Sequence, residues 1–179
     1  MNTCFKRTIQ LVCATCISLA AGISCADRPT VYELLQSSYP DYSIQDPSVL
    51  SAELARVFHD DIETPTTVIA DLDGNNLEDY AFLLRNHENT EDLFLVYLQT
   101  SKNEFEAFEL ERDRFLADYI EEVEPNVTLV PFFDDEKELY GGSLTLSYSA
   151  ILGVHYGKSS RVDFWDSTSK TFKTIWTSD

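Results

Sequence analysis

The chain has 179 residues, with 31 acidic and 13 basic side chains and a formal net charge of −18 at pH 7. A surface this acidic repels nucleic acids and anionic membranes, so both are excluded as partners. It attracts divalent cations and basic proteins instead.

The first 26 residues have the pattern of a secretion signal. Lys6 and Arg7 precede an uncharged apolar segment from Ile9 to Ala21, and small residues at 24–26 offer a cleavage site. The apolar segment is shorter than the roughly 20 residues that span a bilayer. We therefore predict an exported protein, periplasmic or secreted. The alternatives are a lipoprotein anchored through Cys25, which follows small residues, and an uncleaved N-terminal anchor.

All the cysteines lie within this predicted signal: Cys4, Cys13, Cys16 and Cys25. After cleavage, residues 27–179 would contain no cysteine and therefore no disulfide. The core must then stabilise the protein, alone or together with a metal ion. The roughly 150 remaining residues are the size of one ordinary domain, and no internal repeat divides them. We predict a single globular domain over 27–179.

Two helices are predicted before the first strand. Thr30 and Glu33 have the spacing of a capping box, which begins a short helix that Pro40 ends. Asp46 is a favourable N-cap, and Pro47 suits the first position of a second helix. Apolar residues then recur at helical spacing and form a face suited to pack on a sheet: Leu50, Leu54, Val57 and Phe58.

From residue 66 onward the pattern is mostly β. The runs 80–85 and 93–98 are apolar at nearly every position, which is typical of central strands covered on both faces. The run 105–110 alternates apolar and polar residues, so one side of that strand is expected to face solvent. Apolar residues at helical spacing predict a further helix within 111–124.

The last third of the chain contains short strands and turns. We predict a short strand at 127–130, an acidic loop at 134–138 and a half-exposed strand at 144–148. The chain then ends in a predicted hairpin of 161–165 with 171–176. Together the elements predict an α+β fold, with two N-terminal helices packed on a mainly antiparallel β-sheet.

The stretch 71–79 has the composition of a calcium loop between two strands. Oxygen-bearing groups alternate along it: Asp71, Asp73, Asn75, the backbone carbonyl of Leu77, and Asp79. Calcium takes 6–8 oxygen ligands, and a loop that curls turns every second residue inward. An EF-hand is excluded because its loop has a glutamate at position 12, and position 12 of this stretch is Phe82. The alternative is a metal-free turn, because Asp and Asn also bond their own backbone.

This stretch resembles the calcium-binding loop of FG-GAP (integrin-type, VCBS-like) repeats, with the pattern D-x-[DN]-G-[DN]-x-x-x-D followed by an apolar residue. It also resembles small exported bacterial proteins that carry a single such loop, and residues 164–176 are similar to their closing hairpin. The sequence departs from the family at Asn76, where glycine is preferred. The resemblance implies one structural calcium ion. A single copy cannot close a propeller, so that architecture is not expected.

No catalytic constellation is recognisable, because His59, His87 and His155 lie in separate segments. We predict a non-enzymatic, exported binding or structural domain of the bacterial envelope, with one structural calcium site and a protein or envelope partner. The first alternative is an inhibitor or immunity protein whose acidic surface covers a basic enzyme. The second is a calcium-dependent hydrolase of envelope material, with carboxylates from 134–138 near the ion.

Overall fold

The structure is a computed structural model, and it describes residues 30–46, 66–88, 90–113 and 116–178. The predicted signal at 1–26 and residues 47–58 of the predicted second helix lie outside the described residues. The elements, in chain order, are α1 (Val31–Ser38), β1 (Tyr42–Ile44), β2 (Thr67–Ala70), β3 (Asp79–Asn86), β4 (Asp92–Ser101), β5 (Glu104–Asp113), β6 (Tyr119–Val123), β7 (Thr128–Leu129), α2 (Asp134–Leu139), β8 (Leu144–Thr145), β9 (Ala150–His155), β10 (Ser159–Asp166) and β11 (Thr171–Ser178).

The described strands form three antiparallel sheets. Sheet 1 has the order β1–β3–β4–β5, and β2 pairs with the same edge of β3 as β1 does. Sheet 2 has the order β11–β10–β9–β6, and β7 pairs with β8 in a separate two-stranded sheet. The prediction of an α+β fold with two N-terminal helices on a sheet is therefore wrong. The fold is mostly β, and within the described residues only α1 precedes the sheets.

Sheets 1 and 2 pack face to face around a shared apolar core. Alternate residues of β4 point in opposite directions, because successive side chains of a strand lie on opposite faces. Phe94, Val96 and Leu98 enter the core between the sheets, where they meet Ile120 and Ile151 of sheet 2. Their neighbours Leu93, Leu95 and Tyr97 pack on the other face of sheet 1. The prediction that the runs 80–85 and 93–98 are central strands buried on both faces is confirmed.

Further layers cover the outer faces of both sheets. The helix α1 places Val31 and Leu35 on the outer face of sheet 1, and its predicted capping box is confirmed because Glu33 accepts from the Thr30 backbone N–H at 2.6 Å. On the outer face of sheet 2, Leu129 and Leu146 belong to the core that also contains β10. No helix of the described part is long and apolar enough to cross a membrane.

One charged side chain connects the two sheets. Arg161 of β10 is buried, and its guanidinium pairs with Glu111 of β5. The same group lies 5.7 Å from the ring of Phe94 and bonds Asp163 through Nε at 3.1 Å. Burial raises the pKa of Asp163, while the charge of Arg161 and the Thr174 hydroxyl act in the opposite direction. The Arg161–Asp163 ion pair therefore lies inside the protein. Removing either residue would leave the other as a buried charge without this partner.

The predicted helix within 111–124 is wrong. β5 continues to Asp113, and Tyr119–Val123 form β6, which pairs with β9. Ile120 is buried, whereas Glu121 and Glu122 are exposed. Hydrogen bonds to β9 favour a strand here, although the apolar spacing suggests a helix. The sequence pattern does not predict β9, so it offers no partner for such a strand.

The remaining predictions are only partly correct. The closing hairpin is confirmed as β10 and β11. The acidic residues 134–138 belong to the short helix α2 instead of a loop. Three carboxylates in its first turn interact favourably with the positive end of the helix dipole. The predicted strand at 144–148 is reduced to the two residues of β8.

Candidate metal centre

The acidic loop joins β2 to β3 at one end of sheet 1. Its second residue, Leu72, is fully buried in the core between the sheets and fixes the loop to the body of the protein. Gly74 and Asn76 have positive φ angles of 83° and 64°, which bend the chain sharply. The ring of Tyr148 lies against Gly74, because a Cβ added at Gly74 would be 2.1 Å from a ring carbon.

The loop brings three carboxylates together. Oxygen atoms of Asp71, Asp73 and Asp79 lie within 4.8 Å of one another, and this group could hold a metal ion. Asp79 is fully buried at the start of β3, while Asp71 and Asp73 are half-buried. These side chains come from positions 1, 3 and 9 of the predicted calcium loop.

Each of the carboxylate oxygens accepts an N–H. Asp71 accepts from the backbone of Gly74 at 2.8 Å and of Asn76 at 2.9 Å. Asp79 accepts from the backbone of Leu72 and of Gln99, both at 2.7 Å. Such hydrogen bonds fix the carboxylates in place while leaving each oxygen a second lone pair for a cation.

Asn75, the ligand predicted at position 5, links the loop to β4. Its side-chain N–H donates to the carbonyl of Gln99 at 2.7 Å and to Asp73 at 3.2 Å. Its side-chain oxygen accepts from the backbone N–H of Leu77 at 2.7 Å. Coordination of an ion by the Asn75 oxygen and by the Leu77 carbonyl therefore stays a prediction.

The three aspartates concentrate negative charge, and no basic side chain of the described residues pairs with them. The pKa of Asp79 is raised to about 6, with burial as the largest cause. The hydrogen bonds from Gln99 and Leu72 oppose this shift, and the charges of Asp73 and Asp71 add to it. Burial likewise raises the pKa of Asp73, and the charge of Asp71 adds to the effect. Among the described residues, no lysine or arginine forms an ion pair with these three aspartates. A bound cation would favour the ionised form of each carboxylate.

Two contacts of the loop lie outside its own sequence. Gln99 bonds both Asp79 and Asn75, and it could be found only from the pairing register of β3 with β4. Tyr148 is distant in the chain, and nothing in the sequence pattern connects it to Gly74. Both residues hold the loop against neighbouring elements.

The acidic residues of α2 do not belong to this cluster. Lys137 pairs with Asp134 at 2.9 Å, and Glu136 accepts from the backbone N–H of Trp176 at 3.2 Å. Of the histidines, His87 and His155 lie in separate parts of the described chain, at the end of β3 and of β9, and His59 lies outside the described residues. The structure therefore does not bring the carboxylates of 134–138 to the aspartate cluster.

Comparisons with protein families, curated proteins and solved structures found no match to this chain. The resemblance to FG-GAP calcium loops consequently stays a prediction that depends on residues 71–80.

Proposed function

We propose that this protein is a non-enzymatic, exported binding domain of the bacterial envelope in which one structural calcium ion is held by Asp71, Asp73 and Asp79. The observation that carries the proposal is the convergence of these three carboxylates on one point without a basic partner among the described residues. The predicted secretion signal supports export. Residues 27–179 contain no cysteine, so a bound ion would stabilise this domain where other secreted domains use disulfides.

The donor set suits calcium. Calcium is a hard cation that takes oxygen ligands at about 2.3–2.6 Å, so two oxygens on opposite sides of one ion are about 5 Å apart. One oxygen from each of the three carboxylates lies within 4.8 Å of the other two, which is inside that limit. We propose that the side-chain oxygen of Asn75 and the backbone carbonyl of Leu77, from the same loop, complete the ligand set.

The ion would have a structural role. Asp71 follows β2, Asp79 begins β3, and Gln99 of β4 donates its N–H to Asp79, so one ion would tie three strands together. Asp79 is fully buried, which closes the inner side of the site to a substrate. With a dissociation constant of about 10⁻⁴–10⁻³ M, roughly millimolar calcium adds about 0.4–1.4 kcal/mol of stability.

Thermal unfolding with calcium, with magnesium and with a chelator tests the site. We expect calcium to raise the Tm by about 1–5 °C, because 1 kcal/mol shifts a domain of this size by about 2–4 °C. Asp73→Ala should abolish the shift, whereas Asp135→Ala, which removes an exposed carboxylate of α2, should keep it. An unchanged wild-type Tm in all three solutions, or a full shift in Asp73→Ala, would remove calcium from the proposed function.

A further inference from the structure

An apolar stretch of chain lies exposed on the outer side of sheet 2, around β7 and α2. It contains five of the eight large hydrophobic residues that are exposed among the described residues: Val127, Val130, Phe132, Phe133 and Leu139. We infer that the segment 127–139, called here the 127–139 surface, is the docking site for a basic protein partner. This inference rests on the binding role in the proposed function and is independent of the calcium ion.

The apolar side chains of the 127–139 surface are held outward by the local backbone. Leu129 and Pro131 are buried, while the alternate residues Val130 and Phe132 point to solvent, with 62% and 46% of their surface exposed. Because successive residues of an extended chain point to opposite sides, Val130 cannot turn inward without exposing Leu129. The outward side chains are therefore a fixed property of this surface.

Hydrogen bonds to the edge strand β11 fix the same segment a second time. The backbone N–H of Phe132 donates to the carbonyl of Trp176 at 2.7 Å. The backbone N–H of Trp176 in turn donates to the carboxylate of Glu136 at 3.2 Å. The 127–139 surface is thus a preformed platform, and a preformed platform loses little conformational entropy when a partner binds.

Charge around the apolar residues identifies the kind of partner. Asp134, Asp135 and Glu138 are exposed beside Phe133 and Leu139 in the chain. Lys137, the only basic residue of the segment, is already paired with Asp134. An apolar centre with a charged rim is the usual anatomy of a protein interface, and a rim of one sign selects a partner of the opposite sign.

The same charges argue against two other occupants. A second copy of the chain would bring identical carboxylates together, and each chain has a net charge of −18. An anionic membrane surface would be repelled in the same way. A protein with an apolar patch bordered by lysine and arginine matches both features of the 127–139 surface.

Site-specific photocrosslinking in the producing bacterium tests the inference. The full-length protein would carry p-benzoylphenylalanine at Val130, or at Tyr32 of α1 as the control, where 46% of the residue surface is also exposed. Adducts would be identified by mass spectrometry, and the captured protein would be purified for titration calorimetry. We expect one basic protein from position 130 and none from position 32. Its Kd should rise with salt concentration.

Two exposed substitutions on the surface then test the contact itself. Leu139→Asp and Asp135→Lys should each weaken binding of the purified partner at least tenfold, while Tyr32→Asp should leave the Kd unchanged. Leu139 is 74% exposed, so its substitution does not disturb the core, and unchanged thermal unfolding would verify this. A normal Kd for both surface variants would overturn the assignment.

The outcomes separate this inference from the proposed function. Capture of a second copy of the chain, of a protein without a basic face, or of the same protein from positions 130 and 32 alike would overturn the docking surface. A partner captured from position 32 alone would support the binding role and refute the 127–139 surface. No adduct at either position would refute both the binding role and the surface. The calcium response of the wild type reports on the metal site independently of these results.

Discussion

Replacing Gly74 with alanine tests how the acidic loop is packed against the rest of the protein. Gly74 has a φ of 83°, which costs a residue with a Cβ about 1–2 kcal/mol. The added Cβ would also lie 2.1, 2.4 and 2.6 Å from three ring carbons of Tyr148. Forcing that half-buried ring aside costs about a further 1–3 kcal/mol. We expect Gly74→Ala to lower the free energy of unfolding by about 2–5 kcal/mol.

Gly141→Ala is the matched control. Gly141 also has a positive φ, of 64°, but an added Cβ would meet no atom within 4 Å. Its substitution should therefore cost only the backbone strain of about 1–2 kcal/mol. Urea unfolding followed by circular dichroism would measure both losses, and each kcal/mol moves the midpoint by roughly 0.3–1 M.

A double-mutant cycle isolates the contact with the ring. Tyr148→Ala removes the ring, so Gly74→Ala in that background should lose only the strain and show a coupling energy of about 1–3 kcal/mol with Tyr148. A loss for Gly74→Ala no greater than the loss for Gly141→Ala would show that the ring of Tyr148 does not restrict position 74. A full loss that persisted in the absence of the Tyr148 ring would show the same.

Two further measurements test the buried charges. Burial raises the pKa of Asp79 to about 6, above its value of about 3.9 in an unfolded chain, so the folded state binds this proton more tightly and stability falls as the pH rises from about 4 to 6. With chelator present, the wild type should lose up to about 3 kcal/mol across that range relative to Asp79→Asn, and equal pH slopes would contradict this. Arg161→Ala, which leaves Asp163 buried without its partner, should cost about 3–5 kcal/mol in urea unfolding. Lys173→Ala, which breaks the ion pair between the exposed Lys173 and the half-buried Asp166, should cost less, and equal losses would show that Arg161 does not act as a buried charge.

The fold could be predicted from the sequence where the information is local. The capping box at Thr30 and Glu33 and the closing hairpin depend on neighbouring residues, and the structure contains both. The continuous apolar runs of β3 and β4 correctly indicate burial on both faces. The second sheet could not be foreseen in the same way, because the pairing of β6 with β9 joins residues about thirty positions apart. Ile120 has a spacing from Leu116 that suits a helix, and only its partner strand decides otherwise.

The candidate site also has features that depend on local sequence and features that depend on long-range packing. Asp71 and Asp73 are close in sequence, and a turn pattern is sufficient to bring them together. The burial of Asp79 follows from its place in β3, and its contact with Gln99 follows from the pairing register of β3 with β4. The contact of Tyr148 with Gly74 requires the packing of sheet 2 beside the loop, which no short-range pattern contains. The exposure of Val130 and Phe132 depends on the burial of their neighbours Leu129 and Pro131, which the sequence does not reveal.

The position of Arg161 has a consequence for how the protein folds. Its charge is balanced by Glu111 of sheet 1 and by Asp163 of its own sheet, and the guanidinium lies 5.7 Å from the ring of Phe94 in sheet 1. If sheet 2 formed first, it would hold this guanidinium without Glu111 and Phe94. Only Asp163 and the ring of Trp176, 6.0 Å away, would then contact it. Sheet 2 alone would leave this charge with fewer partners than it has in the whole protein. We therefore expect the two sheets to unfold together as one cooperative unit.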